Sequence, residues 1–205
     1  TPLTAERTLL QVALADPDAT AKTLRSTCQD VLALGQQQER LIEALLTLAT
    51  SQQGIEQREP FDLAEIAGNV ILARHQEARR RGIHVATTFA TAPAAGDPNL
   101  VESLVANLVD NALRHNAAGG RIQIATTATA GGATITVRNT GPVIPPNELE
   151  RLFQPFQQLG IQRIRHTDGH GLGLAIVRAI ARAHGATLVP HAGPEGGLNV
   201  EVNFP

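Results

Sequence analysis

The apolar residues of this chain keep two different periods, and the change between them near Gly54 constrains the fold more than any other feature. Before that point the spacing is helical. The opening stretch TPLTAERTLLQVALA sets Pro2 at a natural helix start and places Leu3, Leu10 and Leu14 at helical intervals. The segment DPDAT interrupts it, with Pro17 as the breaker and Asp18 or Thr20 as the cap of a second helix. That helix runs to about Gln53: Leu24, Cys28 and Val31, and again Ile42 and Leu45, fall at three- and four-residue steps, and Leu34, Leu41 and Leu48 at seven. The result is a helical hairpin with a second arm over 30 residues long. Two helices alone leave much of that apolar surface in water, so the pattern predicts a four-helix bundle made by dimerisation. The polar SQQGIEQREP then marks a boundary.

From Phe61 onward helix and strand signals alternate. DLAEIAGNVILARHQEARRR reads as an amphipathic helix stopped at Gly82, and IHVATTF as a strand. GDPNLVESLVANLVDNALRH opens with Asp97 as cap and Pro98 at the first helical position. RIQIATTAT and ATITVRN form a hairpin around AGG. A Gly- and Pro-rich stretch at roughly 140 to 170 is too long for a plain connection and reads as a lid. A helix at about 172 to 184 and the strands ATLVPHA and LNVEVNF complete the chain. This order predicts an α+β sandwich, a mixed sheet with helices on one face. The expected domains are therefore 1–55, a helical hairpin, and 60–205, the sandwich.

Composition removes several functions. A formal charge of −2 over 205 residues argues against a dedicated nucleic-acid binder. Cys28 is the single cysteine, so no disulfide framework or cysteine metal cluster forms within one chain. No apolar run approaches the roughly 20 residues of a membrane span, and any anchor would lie in a segment absent from this chain.

Four local features carry chemistry. NLVDNALRHN places Asn107 and Asn111 one turn apart on one helix face, although Asn is a poor helix former. NTGPVIPP ends a strand at Gly141, and LFQPF puts Phe153 and Phe156 three apart. GHGLGLAIV opens a helix on Gly169, Gly171 and Gly173. Glycines at a helix start let backbone N–H groups approach an anion where the helix dipole favours it; a tight structural turn is the alternative. A P-loop is excluded, because the only lysine, Lys22, lies in the hairpin. An amide oxygen is a hard, neutral ligand suited to Mg²⁺, which shares its remaining positions with water and phosphate.

Taken in order, these motifs resemble the N, G1, F and G2 boxes of sensor histidine kinases of the GHKL ATPase superfamily. GPEGGLNVEVNFP resembles the end of the catalytic domain in that family, and TPLTAERTLL the sequence that follows its phosphoacceptor histidine. The resemblance implies a Bergerat-type ATP-binding domain after a dimerising hairpin, with ATP and Mg²⁺ as ligands. It implies a response-regulator receiver domain as partner, a homodimer through the hairpin, no nucleic acid, and a cytoplasmic position in a membrane-anchored parent.

Residue by residue, the resemblance gives Asn111 to Mg²⁺ and Asn107 to its support or to phosphate through water. It gives Arg114 to phosphate and His115 to the neighbourhood of adenine, a solvent-facing helix-end histidine being the other reading. Gly141 would admit the base, and Phe153 and Phe156 would pack the lid base. Gly169, Gly171 and Gly173, with Leu172 and Leu174 behind them, would cradle the triphosphate. Arg163 or Arg165 would reach the γ-phosphate, or else stand as solvated lid charges. Thr1 matches a position that aids dephosphorylation of the partner.

Three departures accompany the resemblance. Asn139 stands where the family has Asp to accept from the adenine amino group, and Val143 replaces the second G1 glycine. The phosphoacceptor would sit four residues before Thr1, so autophosphorylation of this chain is not expected. A dimeric scaffold or phosphatase without kinase activity is the alternative. A topoisomerase- or chaperone-like hydrolase is disfavoured, because Asn107 occupies the place of its acidic base.

Overall fold

The computed structural model describes residues 2–52, 55, 57–129, 131–157 and 171–205. They group into two compact units, Thr1–Leu46 and Thr47–Pro205.

The first unit is built on helices α1 (Pro2–Ala15) and α2 (Ala21–Gln52). Of the two candidate caps, Thr20 is used: its hydroxyl accepts the Thr23 N–H at 3.2 Å. A side-chain hydrogen bond from Gln38 to Glu6 ties α2 to α1, making the pair a hairpin. Leu3, Leu14, Leu32 and Leu46 all stand exposed in the isolated chain, Leu14 at 82%. The side chains of Leu41, Leu45 and Leu48 lie outside the described residues.

The second unit takes in the end of α2 and then β1 (Glu59–Asp62), α3 (Leu63–Arg80), β2 (His84–Phe89), β3 (Pro93–Gly96) and α4 (Pro98–Arg114). There follow β4 (Arg121–Thr129), β5 (Gly132–Asn139), the short α5 (Pro146–Leu149) and a 3₁₀ turn at Arg151–Phe153. Then come α6 (Gly173–His184), β6 (Thr187–Ala192) and β7 (Leu198–Phe204). Five strands form one sheet in the order β2-β4-β5-β7-β6, with β2 and β4 parallel and the other neighbours antiparallel. Period-two burial sets the layer: Ile122 and Ile124, Ile135 and Val137, and Val200 and Val202 all face α3, α4 and α6. Each such side chain contributes about 1.5–3 kcal/mol when withdrawn from water.

Two pieces were not expected from the sequence. β1 and β3 pair as a separate antiparallel ribbon, although EPFD and PAAG lack a strand pattern. Asp62 explains the ribbon's end, since its carboxylate accepts both the Ala64 N–H that caps α3 and the Ala92 N–H, each at 2.9 Å. Inside the stretch read as one long lid, Pro146 opens α5, and the 3₁₀ turn carries Phe153 into the core.

A buried histidine joins the far ends of α4 and α6. His184 is fully buried, and its Nε2 accepts the Asp97 N–H at 3.1 Å. Nδ1 must therefore carry the proton, which it donates to the Ile180 carbonyl at 2.9 Å. The ring meets Phe204 edge-on, and a Cβ on Gly96 would stand 2.2 Å from its Cδ2. Burial lowers the His184 pKa below its ordinary 6.5, outweighing its backbone partners. The unfolded chain thus binds the extra proton first. Stability from the neutral ring is complete above about pH 6.5 and declines as pH falls below it. Thermal unfolding followed by circular dichroism should show a lower Tm at pH 5.5 than at 7.5. His184→Gln, which keeps an acceptor for Asp97, should start less stable and lose part of that pH dependence; an unchanged pH slope would rule this account out.

Candidate functional site

Asn107 and Asn111 lie half-buried on α4, one turn apart. Asp110, between them in sequence, turns the other way: its carboxylate takes the Arg74 guanidinium of α3 on both oxygens, at 2.5 and 3.0 Å. That pairing raises the Arg74 pKa and fixes which face of α4 is left for the asparagines.

The asparagine face looks onto the start of α6. A Cβ on Gly173 would stand 3.1 Å from the Asn107 Oδ1, so a larger residue at this helix start would press on that side chain. The Asn107 amide is aimed by its own helix, its Nδ2 donating to the Ser103 carbonyl at 2.8 Å. Asp side chains cap α3 and α4, whereas the α6 cap residue, Leu172, supplies no side-chain hydrogen bond. Among the described residues, the first N–H groups of α6 therefore begin a helix dipole without the side-chain acceptor that α3 and α4 carry. Leu172 and Leu174 are buried behind this end. Gly171, at φ +66°, accepts the Phe156 N–H at 3.0 Å.

The other end of α4 forms a second cluster. His115 terminates the helix, and its carbonyl would lie 2.4 Å from a Cβ on Gly141. Beside it Asn139 is buried at the end of β5, on the core face of the sheet. Arg114 is exposed in the last turn. Eight residues separate Asn107 from His115, a helical distance of about 12 Å. The sequence candidates on α4 thus meet α6 at one end, where Gly173 approaches Asn107, and the end of β5 at the other, where Gly141 approaches His115.

Phe153 and Phe156, both expected at the lid base, differ in burial. Phe153 is buried beneath the Arg178 guanidinium, 5.3 Å from its ring centroid, while Phe156 stands 64% exposed. A left-handed backbone at φ +63° and the N–H bond to Gly171 hold Phe156 there. Thr1, Arg163, Arg165 and Gly169 lie outside the described residues.

Two features of the site escaped sequence reasoning. Arg178 also reaches the Glu150 carboxylate at 2.9 Å, holding the 3₁₀ turn on α6; nothing local marks a partner 28 residues away. The β6–β7 turn backs the base of Gly141: Gly197 donates its N–H to the Pro142 carbonyl at 2.9 Å. The paired glycines of GPEGGLN were the available signal.

Residues 96–205 match the model of a family described as histidine kinase-, DNA gyrase B-, and HSP90-like ATPase. This chain belongs to that family. Over its whole length the chain is 43% identical to the sensor protein CutS of Streptomyces coelicolor. It spans about half the length of that curated relative, 50%. Among solved structures, the mycobacterial sensor histidine kinase MprB is 28% identical, with a TM-score of 0.61 over 72% of this chain and 97% of its own. The Acinetobacter baumannii histidine kinase AdeS shares the fold of hairpin and sandwich together. Its TM-score is 0.76 over 100% of this chain and 94% of its own, at 23% identity. Within the family, then, the chain is the catalytic ATPase portion of a sensor histidine kinase. No helix among the described residues is long and apolar enough to cross a membrane.

Proposed function

We propose that the face of α4 between the start of α6 and the end of β5 binds Mg-ATP and that the parent kinase passes the γ-phosphoryl to a histidine, then to an aspartate of a response regulator. The observation that carries this reading is the uncapped start of α6 set against Asn107, with Gly173 between them. Orphan N–H groups at a helix start are satisfied by phosphate oxygens, and glycine lets them approach.

Asn111 would hold Mg²⁺ and Asn107 would support it. The cation, once bound, supplies charge neutralisation between phosphates. Gly171 and Gly173, with Gly169, cradle the phosphates over Leu172 and Leu174, and Arg114 lends positive charge. At the other end Asn139 accepts from the base, Gly141 makes room for it, and His115 flanks it. Phe153 anchors the following segment and Phe156 covers it; Arg163 or Arg165 reaches the γ-phosphate. With so little covalent chemistry to perform, these residues act by positioning and charge.

Residues 1–55 would act as the dimerising hairpin and 60–205 as the catalytic domain. The exposed leucines of α1 and α2 suit burial against a second copy and a docking receiver domain. Thr1 would serve dephosphorylation of that partner, and the parent would be anchored in the cell membrane through a segment outside this chain.

Titration calorimetry tests the nucleotide reading directly. ATP should bind with magnesium present, and removing the metal with EDTA should weaken binding about tenfold or more. A folded chain that ignores millimolar Mg-ATP would leave the scaffold function in its place.

A further inference from the structure

Arg178 makes three contacts with one short turn. Its Nη2 donates to the Glu150 carboxylate at 2.9 Å and lies 3.4 Å from the Glu150 carbonyl, and its guanidinium sits over the buried Phe153 ring. Arg151, in the same turn, pairs locally with Glu148 at 2.7 Å. The Glu150 side chain is 75% exposed, so the ion pair is screened and adds little to stability by itself. What the three contacts share is direction: each ties the turn at Arg151–Phe153 to α6, about a turn and a half beyond Gly173. From there the chain runs on to Phe156, which holds a left-handed φ of +63° and donates its N–H to the Gly171 carbonyl at 3.0 Å. A phenylalanine keeps that backbone only where its surroundings fix it. A Cβ on Gly171 would stand 2.7 Å from the Gln157 carbonyl oxygen, so the two stretches of chain lie in direct contact.

The Gly171 carbonyl belongs to the peptide that joins Gly171 to Leu172. A trans peptide is planar, with its C=O and N–H pointing opposite ways. Turning that carbonyl onto Phe156 therefore turns the Leu172 N–H, at the cap of α6, away from Phe156. Resting on the nucleotide reading above, we propose that Arg178 is a positioning residue for the phosphates. Through the turn at Phe153 and the hydrogen bond from Phe156 to Gly171, it sets the direction of the Leu172 N–H before any ligand arrives. Preorganised N–H groups serve a ligand that carries phosphate. A nucleoside, which has none, does not sense them. The residues assigned to the base, His115 and Asn139, lie at the far end of α4.

NMR titration of the isotope-labelled chain with Mg-ATP and with adenosine tests this, together with amide hydrogen exchange of the unliganded chain. Arg178→Ala should bind Mg-ATP about tenfold more weakly and adenosine within about twofold of the parent. Its Phe156 N–H should exchange about tenfold faster. Glu150→Ala, at an exposed position that spares the ring contact, should show the same pattern at about threefold, and serves if Arg178→Ala fails to fold. Equal weakening for both ligands overturns the proposal, as does an Mg-ATP affinity or a Phe156 exchange rate unchanged from the parent. Those results leave the nucleotide reading intact. A folded parent that binds neither ligand overturns the nucleotide reading and the phosphate role with it.

Discussion

Asn111→Ala should abolish most magnesium-dependent ATP binding without unfolding the chain. Asn111 is half-buried on α4, and no hydrogen bond to the described residues depends on its side chain. Replacing Asn by Ala in a helix removes a residue that competes with the backbone, which changes stability by a few tenths of a kcal/mol, in the favourable direction. The metal-ligand role proposed for it predicts an affinity loss of about a hundredfold, or roughly 2.7 kcal/mol. Calorimetry gives the affinity and circular dichroism the Tm. The combination of lost binding and an intact Tm is the expected outcome. An affinity within threefold of the parent would remove Asn111 from the metal's coordination. EDTA supplies the internal control, because the residual affinity of Asn111→Ala should no longer respond to it.

The second large effect is structural. At Gly197 the backbone has φ +83°, and a Cβ there would lie 1.9 Å from the Asn139 carbonyl oxygen and 2.9 Å from its carbon. Both obstacles are backbone at the end of a central strand, with no flexible side chain to yield. The left-handed conformation costs an L-residue about 1–2 kcal/mol, and the overlap adds at least as much. Gly197→Ala should therefore lose about 3 kcal/mol or more, a Tm drop of about 6–12 °C for a unit of this size. Gly185 separates the two causes, since at φ +69° a Cβ meets nothing within 4 Å. Gly185→Ala should lose only about 1 kcal/mol. If the two substitutions lowered Tm equally, the close approach to Asn139 would not be what requires glycine at 197. Gly197→Ala should also weaken nucleotide binding in the molecules that remain folded, because the displaced strand end carries Asn139 and Gly141.

These effects draw on different levels of organisation. The helix start at Asp97 and Pro98 was legible because a cap and its helix are neighbours in sequence. The alternation in RIQIATTAT and ATITVRN was legible because a strand with one buried face repeats every second residue. The glycines at 171 and 173 were marked by their spacing at a helix start, and the asparagines at 107 and 111 by sharing one helix face. Each of these signals is local.

The features that were missed are contacts between distant segments. EPFD and PAAG look like loops until Asp62 accepts the Ala92 N–H across 30 residues. Phe156 looks like a core anchor until its positive φ turns it out to water. Nothing in GLNVEV announces that Gly197 lies against Asn139, or in RAHGA that His184 accepts from the Asp97 backbone 87 residues away. By itself the sequence determined the long helices, the strands of the five-stranded sheet, the order of the motifs and which residue types could meet phosphate and metal. Periodicity, capping and turn chemistry act over a few residues, so they can be read along the chain. Only the tertiary structure decided which glycines are sterically required, which helix holds the turn at Phe153 and which end of which helix is left without a cap. Those properties depend on backbone atoms of one segment lying within about 3 Å of another, a distance that sheet register and helix packing set and sequence spacing does not.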